Sequence, residues 1–252
     1  MRGPARQLKI REMLEGQGFV DLTTLCRELG SSESTVRRDL IALQAEGVLR
    51  RVHGGAMAVR AIGPRGDDFA GHARRMMAEK RRIAAATARL VEDGQTLILD
   101  AGSTVAAVAR ELLDRSLHVV TNSLPIAEIL GEARRVDVTL TGGQLDPQFG
   151  VVLGPLCEQM LGSLAVDVAI MGIGGVTEKG LSNSNPLVVG SERRMIEVAR
   201  KVVIVSDHTK FGRGALIPLA PLDVVDVVVS DTGLDPEPQE WLRAHDIDVR
   251  LA

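Results

Sequence analysis

Apolar positions in the first sixty residues recur at helical spacing in three short segments. Ile10, Met13 and Leu14 form one stripe, closed by Gly16 and Gly18. Leu22, Leu25, Cys26 and Leu29 repeat at i, i+3, i+4 and i+7. Asp21 stands at the N-cap of that segment, and Gly30 can supply the positive φ that lets the chain leave it. Val36, Leu40 and Leu43 make a third stripe, with Ser32 as its N-cap and Glu33 in the first turn, where the helix dipole favours an acid. Gly47 ends this helix, and residues 48–55 read as a strand and a tight turn. Helix, helix, tight turn, helix and β-wing is the order of a winged helix-turn-helix.

Beyond residue 60 the pattern changes. Ala61 to Asp68 has no periodicity and is rich in breakers, which predicts an interdomain linker over 59–73 between domains at 1–58 and 74–252. A charged helix follows from about Arg74, with Ile83, Ala84, Thr87 and Leu90 as its buried stripe. Short apolar runs then alternate with helical patterns. Thr96 to Leu99, Val119-Val120, Val136 to Leu140, Val166 to Met171, Val202 to Val205 and Val224 to Val229 are the strand candidates. They are almost continuously apolar, as strands covered on both faces must be, so the second domain is predicted to be a doubly wound, mostly parallel α/β sheet.

Charge distribution supports the division. The chain of 252 residues has a net charge of −3. Residues 1–60 hold ten Lys or Arg against seven Asp or Glu, and residues 61–252 hold 20 against 26. The basic end is the end with the helix-turn-helix, as phosphate contact requires. Aromatic residues are 2% of the chain and tyrosine is absent, which argues against stacking on single-stranded nucleic acid. Cys26 and Cys157 lack metal-ligand spacing, so no metal or other cofactor is expected and both thiols read as reduced and structural. Without a membrane-length apolar run or a signal-peptide core, the chain reads as cytoplasmic with no membrane partner.

The third helix carries the first candidate chemistry. Thr35, Arg37 and Arg38 project away from its apolar stripe near its N-terminus, the end that enters the major groove in helix-turn-helix proteins. An isolated Arg-Arg pair would be a solvated basic helix; the helices before it favour a reading function. Ser32, Ser34, Thr35, Arg37 and Arg38, with Arg51 and His53 in the wing, are the candidate contacts to double-stranded operator DNA.

The second set lies where ligands bind in such sheets, beyond the carboxyl ends of the strands. The first strand runs into Asp100-Ala101-Gly102-Ser103-Thr104 and an Ala-rich helix. Hydroxyls and backbone N–H groups at a helix start suit phosphate, although simple capping by Ser103 or Thr104 reads equally well from this segment alone. Thr121-Asn122-Ser123, Thr141-Gly142-Gly143, Gly172-Ile173-Gly174-Gly175 and Asp207-His208-Thr209-Lys210 follow the later strands. Five polar or glycine-rich strand ends together describe a pocket for a small, anionic, hydroxyl-rich ligand.

The run Ser-Glu-Ser-Thr-Val-Arg-Arg-Asp-Leu at 32–40, with Arg51-Val52-His53-Gly54-Gly55-Ala56, resembles the DNA-binding domain of the DeoR family of bacterial transcriptional regulators. The segments at 100–104, 121–123, 142–143 and 207–212 are similar to that family's effector domain, whose fold is like ribose-5-phosphate isomerase and glucosamine-6-phosphate deaminase. The resemblance implies that Ser103 and Thr104 hold phosphate and Lys210 pairs with it or with sugar oxygens. It also implies that Asp100, Asn122 and Asp207 meet hydroxyls, while Gly102, Thr121, Ser123, Gly142 and Gly143 belong to the same segments. One departure stands out. Glu192 occupies the place where the family usually has a Lys, and it is either a pocket residue or part of an exposed helix face.

Three functions fit these features. A repressor of sugar-metabolism genes, homo-oligomeric as a dimer or tetramer and controlled by a phosphorylated sugar, absorbs every motif. A sugar-phosphate isomerase or deaminase with an appended DNA-binding domain needs a poised general base, and no carboxylate or histidine has a spacing that marks one. A scaffold that uses its helix-turn-helix for protein contacts would leave the strand ends unexplained.

Overall fold

The computed structural model describes residues 3–17, 19–45, 49–52, 55–58 and 69–252. The chain divides into two compact units, Met1–Gly63 and Pro64–Ala252.

The first unit contains α1 (Gly3–Gln17), β1 (Phe19–Asp21), α2 (Leu22–Leu29), α3 (Glu33–Ala45), β2 (Leu49–Val52) and β3 (Gly55–Ala58). Asp21 caps α2 by accepting from the Thr24 N–H at 2.8 Å, and Gly30 ends it in the left-handed region at φ 55°. That turn sets α3 against α2. Ile10, Leu14, Leu25, Leu29, Val36, Leu40, Leu43 and Leu49 bury one shared core. The wing is a three-stranded antiparallel sheet in the order β1-β3-β2. Of these only β2 is legible in the sequence, as the strand before a tight turn; β1 is three residues long and carries no period. The turn residues His53 and Gly54 lie outside the described residues, as do the linker residues 59–68.

The second unit opens with α4 (Phe69–Arg74) and α5 (Met77–Ala88). Residues 69–73, part of the stretch expected to be linker, are therefore helical, and the charged helix expected from about Arg74 begins at Met77, after Met76 at φ 52°. There follow β4 (Thr96–Leu99), α6 (Ser103–Glu111), β5 (Leu117–Thr121), α7 (Leu124–Gly131), β6 (Val136–Leu140), β7 (Gln144–Asp146), β8 (Val151–Leu153) and α8 (Pro155–Gly162). The remainder is β9 (Val166–Met171), β10 (Gly175–Thr177), β11 (Gly180–Asn183), α9 (Pro186–Val198), β12 (Ala199–Val205), β13 (Ile217–Ala220), β14 (Val227–Ser230), α10 (Pro236–Ala244) and β15 (Asp248–Leu251).

Seven of these strands form one parallel sheet in the order β15-β14-β12-β9-β4-β5-β6. Alternate strand residues feed two separate cores, as a pleated strand requires. Leu97, Leu99, Val119, Val168, Ile170, Val203 and Val205 pack against α5, α6 and α7. Ile98, Val120, Ala169, Met171, Val202 and Ile204 pack against α8, α9 and α10. Burial on both faces is why the strands read as apolar runs rather than as an alternation.

From β4 the chain winds outward through β5 and β6, then returns to β9 on the other side of β4 and winds outward again. The reversal lies between the carboxyl ends of β4 and β9, where open α/β sheets form their binding crevice. The expected strand Val224 to Val229 begins only at Val227. Leu222–Val224 is a single 3-10 turn, and Asp226 caps the sheet by accepting from the Val202 N–H at 2.7 Å. Among the described residues no helix is long and apolar enough to cross a membrane.

Candidate functional site

On α3 the buried residues Val36, Leu40 and Leu43 hold one side of the helix against the core. Ser34, Arg37, Arg38 and Ile41 fall on the opposite side at i, i+3, i+4 and i+7, and all four are exposed. The Ser32 carbonyl accepts from the Thr35 and Val36 N–H groups, so the helix begins where the capping pattern placed it. The Ser32 hydroxyl bonds those of Ser34 at 3.1 Å and Thr35 at 2.9 Å. Arg37 is paired along the helix with Glu33 at 2.6 Å, while Arg38 is exposed on the same face. The Asp39 carboxylate, turned inward, accepts from Arg6 and from Gln7 Nε2, which ties α1 to α3. Arg51 lies on β2 and His53 lies outside the described residues.

In the second unit the loop after β4 stands at the topological reversal. Gly102 has φ 153°, a conformation that side-chain-bearing residues rarely adopt, and a Cβ built there would meet nothing within 4 Å. The glycine therefore serves the backbone path and leaves open space over the start of α6. Ser103 and Thr104 form the first turn of that helix, whose N–H groups lack intrahelical partners.

Lys80 is the principal residue that the sequence reading missed. It is 6% exposed, and its Nζ donates to Ser103 Oγ at 2.9 Å and to the His72 carbonyl. The signal was present: Lys80, Ile83, Ala84 and Thr87 are spaced i, i+3, i+4 and i+7, so the lysine takes the first position of a buried stripe. Burial lowers its pKa. Asp207 opposes that shift, and the charges of Lys210 and Arg75 add to it. Lys80, held on Ser103 at the start of α6, is thus within electrostatic reach of two further cations and one carboxylate.

Lys210 comes from two strands away, in the short 3-10 turn His208–Lys210 after β12. Asp207 caps that turn, accepting from the Thr209 N–H at 3.1 Å and from the Thr209 hydroxyl. Asp231, just after β14, fixes it from the next strand. Its carboxylate accepts from the His208 N–H and contacts His208 Nδ1, both at 2.8 Å. Burial raises the Asp231 pKa, but the His208 and Gly233 amides and the His208 ring outweigh it and hold the carboxyl below its ordinary value.

Several expected site residues have framework partners. The Thr121 hydroxyl donates to the Leu99 carbonyl at 2.7 Å and accepts from the Ser123 N–H, stitching β5 to β4. Ser123 caps α7 through the Ile126 N–H. At Gly143 a Cβ would lie 2.6 Å from the Leu153 carbonyl oxygen, so β8 alone accounts for that glycine; at Gly142 it would meet nothing within 4 Å. Asn122, next to Asp100 in the β4–β5 register, is buried and its Oδ1 has no hydrogen-bond partner.

The Asp100 carboxyl is buried between the Ala101 and Gly172 amides, at the ends of β4 and β9. Burial raises its pKa to about 7, against those two amides. Glu192 lies on α9 and is 1% exposed, so it is not on an exposed helix face. Its Oε1 accepts from Asn183 Nδ2 at 2.8 Å. Burial, then the charge of Asp100, push its carboxyl well above the ordinary range.

A winged helix-turn-helix in one unit and a doubly wound α/β sheet with a buried lysine at its switch point in the other describe a DNA-binding regulator with a sensor domain. Comparison with known proteins agrees. Residues 6–61 match the DeoR-like helix-turn-helix domain and residues 75–232 match the DeoR C terminal sensor domain. The chain belongs to the DeoR family of transcriptional regulators. The Transcriptional repressor AccR of Agrobacterium fabrum is 36% identical over 231 residues, 90% of this chain and 89% of that one. The Glycerol-3-phosphate regulon repressor of Escherichia coli is 32% identical over 255 residues and the full length of both. Its relatives are repressors and regulators, which decides against the isomerase or deaminase reading. Among solved structures, ribose 5-phosphate isomerase A from Methanocaldococcus jannaschii is similar with a TM-score of 0.40 and 20% identity, over 52% of this chain and 53% of that one.

Proposed function

We propose that this chain is a homo-oligomeric repressor of carbohydrate genes, acting in the cytoplasm, that releases its operator when a phosphorylated sugar binds its sensor domain. A dimer or tetramer would set α3 of two chains on repeated half-sites, with Ser32, Ser34, Thr35, Arg37, Arg38, Arg51 and His53 as the contacts to the duplex. The DNA-binding domain is 1–58, the connection 59–68 and the sensor 69–252, since α4 begins at Phe69 and that residue packs on the sensor's core.

The observation that carries the effector reading is the half of a phosphate site already assembled at the start of α6. Lys80 is buried against Ser103, with Lys210 close enough to repel it. Like charges brought together in a partly desolvated place favour an anion between them. The free N–H groups of α6 supply directional donors for phosphate oxygens. Asp100, Asn122 and Asp207 stand at neighbouring strand ends as partners for hydroxyls, and Thr104, Gly102 and Gly142 border the same loops. By contrast, Thr121, Ser123 and Gly143 are assigned here to holding those loops in place.

A panel of sugar phosphates and their unphosphorylated parents, screened by thermal stabilisation, tests the reading, since a ligand that binds only the folded state raises its melting temperature. Stabilisation by a phosphorylated member and not by its parent is the expected result. Equal stabilisation by the parent sugar would remove phosphate from the assignment.

A further inference from the structure

The phosphate end of the sensor site leaves its most unusual feature unused. Asp100 and Glu192 are 2% and 1% exposed, close enough for the charge of one to act on the other. The donors that favour their ionised forms are the backbone amides of Ala101 and Gly172 for Asp100 and the Asn183 side-chain amide for Glu192. The remaining carboxylate oxygen, Glu192 Oε2, is buried without a hydrogen-bond partner, and so is Asn122 Oδ1 beside Asp100. A protein that buries a carboxylate oxygen with nothing to receive forfeits its hydration, and such groups are normally satisfied by a partner or a ligand.

The missing partner must be a donor, and its charge can be argued. A hydroxyl would satisfy one lone pair and do nothing to offset the cost of ionising two neighbouring buried acids, which then keep their protons. An ammonium donates three hydrogens and compensates the negative charge as it forms, converting an unfavourable pair into a hydrogen-bonded ion site. The distance fits a small molecule, because Asp100 and Ser103 are three residues apart in one loop and so at most roughly 11 Å separates their Cα atoms.

We propose that the effector is zwitterionic: a phosphorylated amino sugar, with its phosphate at Ser103, Lys80 and Lys210 and its protonated amine between Asp100 and Glu192. This rests on the sensor-site reading above and narrows the ligand within it. Glu192 is then the residue that selects amine over hydroxyl.

The test uses the full-length protein and isothermal titration with matched pairs: glucosamine, galactosamine and mannosamine 6-phosphates against the corresponding glucose, galactose and mannose 6-phosphates. In at least one pair the amino member should bind about tenfold tighter or better, consistent with the cost of leaving a buried charge unpaired. N-acetylglucosamine 6-phosphate, whose nitrogen is uncharged, should group with the hydroxyl members. In the Glu192→Gln variant the amine preference should collapse, each amino member binding within about threefold of its neutral counterpart. Binding of the neutral members as tightly as the amino members, or a preference that survives Glu192→Gln, would overturn the proposal and leave the sugar-phosphate reading standing. Binding of no pair would overturn both, and glucosamine binding as tightly as its phosphate would overturn the phosphate reading alone.

Discussion

In the proposed phosphate site, Lys80 gives up stability for the ligand. Burial lowers the pKa of its ammonium, so the fold disfavours the charge it carries at neutral pH. Replacing it with Met should leave the ligand-free melting temperature nearly unchanged or higher. The same change should weaken a phosphorylated ligand by about 1.5–3 kcal/mol, roughly ten- to hundredfold in affinity, as for other hydrogen bonds to charged groups. Calorimetry with and without ligand reads both, and an unchanged ligand affinity would take Lys80 out of the site. Asp100 makes a second claim at this scale. Its folded pKa, raised to about 7, lies above the ordinary value of 3.8, so the folded state holds a proton that the unfolded chain releases. The stability from that proton is full below about pH 4 and is lost as pH rises through about 7. The raised Glu192 carboxyl acts in the same direction. Chemical unfolding of the sensor domain should therefore become easier between pH 5 and pH 8, and Asp100→Asn should flatten the slope; a wild-type slope of opposite sign would contradict the assignment.

At the scale of elements, legibility followed burial. The central strands were visible because both faces are covered, so their apolar runs are unbroken; Thr96–Leu99 and Val166–Met171 agree with the sequence at both ends. Edge strand β15 was not, since Asp248-Val249-Arg250-Leu251 alternates charge with apolar residues over only four positions. The short strands β7, β8 and β10 are three residues each, too short for any period. The site divided in the same way. Glycines and hydroxyls at strand ends announce themselves locally, whereas Lys80 and Glu192 sit on helices, where a charge normally means solvent. Only their positions relative to Ile83 and to Val189 and Met195 reveal that they face inward. The recognition helix rests on the same logic of one buried stripe. Leu40→Ala should cost about 2–5 kcal/mol and abolish DNA binding, because the reading face is held in place by that stripe. Urea unfolding of the isolated sensor domain gives the reference: ligand-induced stabilisation of the sensor should persist in the full-length variant, and its loss would show that the two units do not fold independently.

At the scale of the whole molecule, a unit with one core and a unit with a core on each face of its sheet are linked in sequence by residues 59–68, which carry Gly63-Pro64 and Gly66. Limited proteolysis should cut first between Ala58 and Phe69, and a first cut inside the parallel sheet would contradict independent domains. The charge asymmetry between the units favours DNA at the basic one, and the proposed regulation requires that operator and effector oppose each other. Linkage makes that opposition reciprocal: whatever factor the effector removes from operator affinity, the operator removes from effector affinity. The most direct measurement is a titration of operator-bound protein with the sugar phosphate found by thermal screening, followed by fluorescence anisotropy, alongside its unphosphorylated parent and the Lys80→Met variant. Release by the phosphorylated ligand alone, with the variant still bound to operator at the same concentration, is the expected result. Release of the variant at the wild-type concentration, or by the parent sugar, would contradict control through an anion held at the start of α6.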